Sequence, residues 1–234
     1  INYIDRQVIG ILKPYISDDL NWSESDYGYI VTAFQIAYAI GLLTTGRFLD
    51  KFGTKIGFTW AIIVWSIAGV LHAFARSVSG FAIFRFILGI GESANFPAAV
   101  KAVAEWFPKK ERAFAAGLFN SGSTVGAILA PIIVSGITVA FGWEWAFIIT
   151  GALGFIWVVF WLLFYDKPKE HKHVTAGELD YILQDGSEGT EKPSFRWVEL
   201  FKHRQTIGIC STRFISDWVW WFFLFWIPDF LSKT

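Results

Sequence analysis

Six stretches of 20 or more residues, almost free of charge and joined by short charged connections, constrain this chain more than any other feature. An α-helix crosses the hydrocarbon of a bilayer with about 20 apolar residues, because every backbone polar group must then be bonded inside the segment. Such stretches run from Tyr27 to Gly46, Ile56 to Ala75, Phe81 to Ala104, Ala113 to Ala140, Trp145 to Phe164 and Thr206 to Leu231. Ile1 to Ile16 has the character of the end of another. Six full spans and one cut at its beginning are therefore expected, an all-α integral membrane protein. The composition agrees, since 54% hydrophobic and 17% charged residues would leave a soluble fold with an aggregating surface.

Lys plus Arg equals Asp plus Glu at 20 each, so net charge gives no case for a nucleic-acid partner. The placement of the charges is informative instead. Arg47, Lys51 and Lys55 follow the second span; Lys109, Lys110 and Arg112 follow the fourth; Lys167, Lys169, Lys172, Lys192, Arg196, Lys202 and Arg204 follow the sixth. By the positive-inside rule these connections are cytoplasmic. Asp18, Asp19, Glu24 and Asp26 then face outside.

The organisation expected is an N-terminal membrane bundle over 1–164, a cytoplasmic linker over 165–205, and the seventh span over 206–234. In the linker, Thr175 and Glu178 have capping-box spacing ahead of Leu179, Tyr181, Ile182 and Leu183, which predicts a short helix. A second, interfacial helix is predicted over Ser194 to Lys202 with Phe195, Trp197, Val198 and Phe201 on its apolar side. His171 and His173 stand in a solvated basic loop, and Cys210 is the single cysteine, so neither a metal centre nor a disulfide is expected. The chain opens on Ile1 and contains no methionine, and is expected to be a piece of a longer protein.

Ionisable residues at membrane depth are costly unless they face a cavity or a partner, so they mark function. Asp5 and Arg6 lie in the first span, Arg85, Glu92 and Lys101 in the fourth, Arg213 and Asp217 in the seventh. The interiors of the others carry none. A period of three helices is what nested inverted repeats produce, with the first helix of each repeat lining one central cavity. A retinal protein would want a lysine in its last span, and 206–231 contains none.

Gly46, Asp50, Lys51, Gly53 and Lys55 stand in a run that resembles the loop motif of the major facilitator superfamily, G-x-x-x-D-[RK]-x-G-x-[RK], with Thr54 where a basic residue is common. Its glycines suit close helix approach and a tight turn, and Asp50 suits a contact with helix ends or arginines. Arg85, Gly89 and Gly91 are similar to the superfamily's helix-four motif. The run from Asn2 to Arg6, Glu92, and the run from Glu105 through Pro108 to Arg112 together resemble the anion:cation symporter family. Gly53 to Gly57, Phe119 to Pro131, Ala146 to Trp157, and Arg213 with Asp217 resemble its bacterial hexuronate transporters.

The resemblance implies twelve spans in a complete relative, of which this chain holds the N-terminal six-helix bundle and helix seven. It also implies a bacterial inner-membrane symporter, not an enzyme, that imports galacturonate or glucuronate with protons, as a monomer and without a cofactor. Arg6 would hold the substrate carboxylate, because its planar fork suits two parallel hydrogen bonds. Tyr3, Gln35, Tyr38 and Ser123 would meet the sugar, and Arg213 would be a second anion contact. Asp5 and Glu92 would carry the coupled proton, with anion capture by Arg6 loosening its hold on Asp5. Gly46, Asp50, Lys51, Gly53, Lys55, Arg85 and Arg112 would serve the conformational change. Galactonate-type relatives carry glutamine where Ser123 stands, which argues against copying their specificity. A symporter of galactonate, glucarate or another organic anion, and a non-transporting sensor of the same fold, remain the alternatives.

The glycines Gly117, Gly122 and Gly126 of the fifth span are expected to serve close helix packing. The aromatic run Trp218 to Trp226 is expected to face lipid or neighbouring helices.

Overall fold

The structure is a computed structural model that describes residues 1–185 and 201–232, the side chains of 228, 229 and 232 excepted. The helices are α1 (Asn2–Leu20), α2 (Glu24–Phe52), α3 (Thr54–Leu71, extended by a 3-10 turn His72–Phe74), α4 (Val78–Glu92) and α5 (Asn95–Trp106). They continue with α6 (Arg112–Phe141), α7 (Trp143–Phe164), α8 (Ala176–Leu183), α9 (Arg204–Phe225) and α10 (Ile227–Ser232). Among the described residues there is no strand.

Local chemistry sets the boundaries. Ser23 caps α2 by accepting from the Asp26 N–H at 3.2 Å while the Asp26 carboxylate accepts from the Ser23 N–H at 2.9 Å, a reciprocal box that satisfies two orphan donors. Gly53 ends α2 at φ 80°, a conformation that costs a glycine little, and its N–H closes on the Leu49 carbonyl at 2.9 Å. The tight turn expected there is present. Thr175 caps α8 through the Glu178 N–H at 3.3 Å, so the short linker helix also stands as expected. The helix predicted over Ser194 to Lys202, with Phe195, Trp197 and Val198, lies outside the described residues but for Phe201 and Lys202.

Two predicted spans are broken. The stretch from Phe81 to Ala104 folds as α4 and α5, joined by a turn at Ser93 and Ala94. Pro97 is the cause: it has no N–H for the Ser93 carbonyl, and its ring would collide with that carbonyl in a continuous helix. The last span is likewise divided at Trp226, two residues before Pro228. Among the described residues four helices are long and apolar enough to cross a membrane by themselves, namely α2, the segment Thr54–Phe74, α6 and α7. The charged α1 and α9 and the shorter α4 and α5 are not among them.

In the packing, α2 lies along α4, α3 lies against both α4 and α7, and α1 is covered by α6, α7 and α9. Backbones approach closely at Gly89, where a Cβ would sit 2.7 Å from the Phe34 carbonyl oxygen, and at Gly91, where it would sit 2.9 Å from the Trp65 nitrogen. The packing expected of span five holds at Gly126, which faces the Tyr3 Cβ at 3.4 Å, but Gly117 and Gly122 face open space. Gly46 likewise meets nothing within 4 Å, so no helix approaches it among the described residues.

The connections gather at two ends. At one, Asp19 accepts from Trp143 at 3.2 Å and Arg76 meets Glu144 at 3.4 Å. At the other, Lys55 pairs with Asp166 at 2.7 Å, Trp106 donates to the Asp166 carbonyl at 3.0 Å, and Glu105 accepts from both Thr54 and Tyr165. The linker helix is tied to this second end, with Tyr181 donating to Glu111 and the Lys109 N–H donating to Asp185. Lys55 after the second span, Lys109 after the fourth and Asp166 after the sixth thus gather at one end.

Candidate functional site

The α1 helix presents Asn2, Tyr3 and Arg6 along one side, as spacings of three and four dictate. That side borders a cavity of about 410 Å³. Tyr38 from α2 and Ser123 from α6 join it, so four of the six expected substrate contacts (Tyr3, Arg6, Tyr38 and Ser123) meet at one place. The Arg6 guanidinium lies 4.5 Å from the Tyr38 ring centroid, 5.3 Å from that of Tyr3 and 5.8 Å from that of Trp221. These aromatic faces stabilise a cation that has left water, each by about 0.5–2 kcal/mol.

The partner of Arg6 is Glu92. The Arg6 Nε donates to the Glu92 Oε2 at 2.6 Å, with both side chains buried. The sequence places Asp5 beside Arg6 and suggests their pairing, but neighbours in a helix point about 100° apart. Asp5 instead turns inward, and neither of its carboxylate oxygens has a hydrogen-bond partner among the described residues. Arg6 is therefore held by Glu92 rather than by Asp5.

Arg85, expected to serve the conformational change, is buried on α4 two turns before Glu92. It is 1% exposed, none of its three nitrogens has a hydrogen-bond partner, and it sits 5.8 Å from the Phe34 ring centroid. The Glu92 Oε1 and the Asn2 Nδ2 are likewise buried without partners. Each such group costs about 1–3 kcal/mol, and more when charged. A cluster of two arginines and two carboxylates with so few bonds made is suited to exchange partners.

Gln35 and Arg213 are not at this cavity. They line a second, wider one of about 740 Å³ between α2 and α9, together with Asp217. The Trp221 ring is the partition, edge-on to Tyr38 at 6.0 Å on one side and lining the second cavity on the other. Arg213 is exposed and bound to Asp217 at 3.3 Å, the pairing expected of charges one turn apart. Ser123 borders the first cavity with its hydroxyl donating to its own helix at the Asn120 carbonyl, 2.6 Å away.

Among the motif residues, Asp50 pairs with Lys101 at 2.7 Å, a lysine rather than an arginine. Lys51 lies 5.3 Å from the Phe52 ring centroid, and Lys55 binds Asp166. Arg112 donates to the Ala104 and Phe107 carbonyls at 2.9 and 3.0 Å and so closes the end of α5. Lys55 holds the Asp166 carboxyl below its usual range by that hydrogen bond. The Ser23 hydroxyl and backbone do the same for Asp26.

The cavity wall also includes residues that the sequence does not assign to the site: Asn95 at the start of α5, Asn120, and the aromatic set Phe58, Trp65 and Trp157. Asn2 was legible, being four residues before Arg6 on one face. Asn95 was not, because its position depends on the break at Pro97. Polar amides beside flat aromatic faces suit a sugar, whose hydroxyls bond to the former and whose carbon faces lie on the latter.

A membrane helix bundle with a charged, aromatic-walled cavity between its helices is the class that fold and site define. The whole chain, residues 1–234, matches the model of the Major Facilitator Superfamily, and the chain belongs to that family. It is an integral protein of the bacterial inner membrane, and the family consists of transporters rather than enzymes. The chain is 39% identical over its full length to the "Hexuronate transporter" of Escherichia coli K12, covering 55% of that protein. It is 38% identical over its full length to the "Galacturonate transporter" of Dickeya chrysanthemi, covering 69% of it. The xylose transporter XylE from E. coli, in an inward-open conformation, superposes over 97% of this chain and 62% of its own with a TM-score of 0.64 at 16% identity, which shows the fold. The chain thus spans about half the length of the hexuronate transporter.

Proposed function

We propose that the complete protein is a proton-coupled symporter that imports a sugar-acid anion, a hexuronate such as galacturonate or glucuronate, by alternating access. The observation that carries this reading is the Arg6–Glu92 pair at the wall of a cavity lined by tyrosines, asparagines and tryptophans. Arg6 cannot lose its charge under physiological conditions, so it always needs an anion beside it. Without substrate that anion is Glu92. A uronate carboxylate that takes the two-pronged face of the guanidinium displaces Glu92, which is then left buried and unpaired, and an unpaired buried carboxylate takes up a proton. Substrate and proton therefore enter as a couple. Asp5 and Arg85 lie beside the pair and serve the second half of the exchange. The two relatives named for hexuronate and galacturonate support this substrate class.

The organisation into a membrane bundle over 1–164, a linker over 165–205 and a further span over 206–234 belongs to the same proposal. The Asp50–Lys101 and Lys55–Asp166 pairs would hold the cytoplasmic ends together in one state of the cycle. Membrane vesicles containing the complete protein test the reading. They are expected to accumulate labelled galacturonate when the outside is made acid and to lose it when an uncoupler is added. Binding without accumulation would instead identify a sensor, and accumulation of galactonate or glucarate in preference to a uronate would move the substrate assignment.

A further inference from the structure

His72 ends α3 at the 3-10 turn, far in sequence from every motif, and is 0% exposed. Its Nδ1 lies 2.6 Å from the Ala68 carbonyl oxygen. A carbonyl only accepts, so Nδ1 carries the proton and Nε2 is left with the lone pair. That Nε2 is buried and has no hydrogen-bond partner. The ring is stacked on Phe147 at 5.1 Å and meets Phe81 and Phe84 of α4 at 5.8 and 5.9 Å.

Arg85 is one helical turn beyond Phe81, on the face of α4 that His72 touches, and has three donors and no acceptor for them. The site therefore holds one unused buried acceptor and one unused buried donor fork on packed elements. From α4 the charge that acts on the imidazole is Arg85, while α7 presents Phe147. Asp5 of α1 and Glu92 act on Arg85 rather than on His72, and Arg76 and Glu144 engage each other at the outer surface.

We propose that His72 is a positioning residue for Arg85: its Nε2, left with the lone pair by the Ala68 bond, accepts from the guanidinium through one water and holds it while Arg6 holds Glu92. Arg85 then has two berths, His72 in the state where Arg6 and Glu92 are paired and the carboxylates Asp5 and Glu92 once that pair opens. The histidine sets how readily the guanidinium leaves for the carboxylates.

The test is a double-mutant cycle on the purified complete protein, read as the thermal unfolding midpoint in detergent. His72→Phe keeps the stack on Phe147 and removes the acceptor, and is expected to lower the midpoint in the native background but not in Arg85→Gln, since contacting pairs are non-additive. His72→Gln, which retains an acceptor, is expected to recover most of the loss. An equal loss in both backgrounds, or no recovery with glutamine, would overturn the proposal in favour of simple packing. If His72→Phe cannot be purified, the near-isosteric His72→Asn and His72→Leu give the same comparison, with Asn expected above Leu only when Arg85 is present.

A transport arm rests on the sugar-acid symport reading. In it, His72→Phe is expected to reduce gradient-driven galacturonate uptake about tenfold at unchanged KM, the effect of one lost hydrogen bond to a charged group. His72→Gln is expected to restore uptake, and unchanged uptake in His72→Phe would contradict the proposal. A protein that moves no sugar acid defeats the symport reading alone, because the thermal cycle decides on His72 without substrate.

Discussion

Arg6 on α1 donates to Glu92 on α4 across 2.6 Å, and this buried bond joins the wall of the cavity to the helix that breaks beside it at Ser93 and Ala94. In the proposed symport the pair would couple two events, capture of an anion and uptake of a proton, because one guanidinium would serve both carboxylates in turn. Its geometry also separates the roles of the two acidic residues. Glu92 is the carboxylate that holds Arg6, while Asp5 lies inward without a hydrogen-bond partner among the described residues.

Replacing Arg6 by lysine keeps the charge and removes the planar fork. Galacturonate affinity of the complete protein is expected to fall about 10- to 100-fold, the worth of one charge-assisted hydrogen bond at roughly 1.5–3 kcal/mol. Calorimetric titration checks it. An affinity within twofold of the native value would remove Arg6 from the substrate contact.

Glu92→Gln leaves beside Arg6 a neutral amide that takes no proton. Exchange of labelled for unlabelled substrate across a vesicle membrane is expected to continue, while accumulation against a concentration gradient is lost. Accumulation at the native level would place the coupling elsewhere.

At Gly89 a Cβ would meet the Phe34 carbonyl at 2.7 Å and the Ala37 Cβ at 3.0 Å, and neither can swing away as a flexible side-chain tip could. Gly89→Ala is expected to destabilise the protein by about 1–3 kcal/mol through overpacking of α4 on α2. A lowered thermal unfolding midpoint checks this, and an unchanged midpoint would contradict the close approach.

The Asp166 carboxyl is held below its usual range by the Lys55 hydrogen bond. A depressed carboxylate contributes its stability above the unfolded value of about 3.9 and loses it as pH falls through the folded value. The clasp of Lys55, Asp166 and Trp106 is therefore expected to stay closed throughout the range from pH 5 to 8 and to open only in stronger acid. Fluorescence of Trp106 in a variant that retains it as the reporter tryptophan, followed against pH, checks the point. A transition near neutrality would mean that another group governs the clasp.

Much of this was legible in the sequence, for identifiable reasons. The spans follow from apolar length, and the charges that interrupt them at Asp5, Arg6, Arg85 and Glu92 lead to the site because ionisable groups are costly at membrane depth and so mark function. Pairing was less legible. Asp5 and Arg6 are adjacent in sequence, yet helix geometry sends them in different directions and brings Glu92 from 86 positions away. The break in the fourth span was written in Pro97, but a long apolar run masks a single proline, and with it the placement of Asn95. Gln35 and Arg213 carry suitable chemistry, and only the position of the Trp221 ring excludes them from the Arg6 cavity. His72 gave no signal at all, since one histidine near the end of an apolar stretch says nothing of the lone pair it leaves buried.

The central claim is that substrate displaces Glu92 from Arg6 and that Glu92 is then protonated. Titrating the complete protein with galacturonate near neutral pH, in buffers of different ionisation enthalpy, counts the protons taken up on binding. The native protein is expected to take up about one proton per substrate bound, and Glu92→Gln to lose that uptake while still binding. Binding of galacturonate with no proton uptake by the native protein, or with the same uptake in Glu92→Gln, would contradict the account.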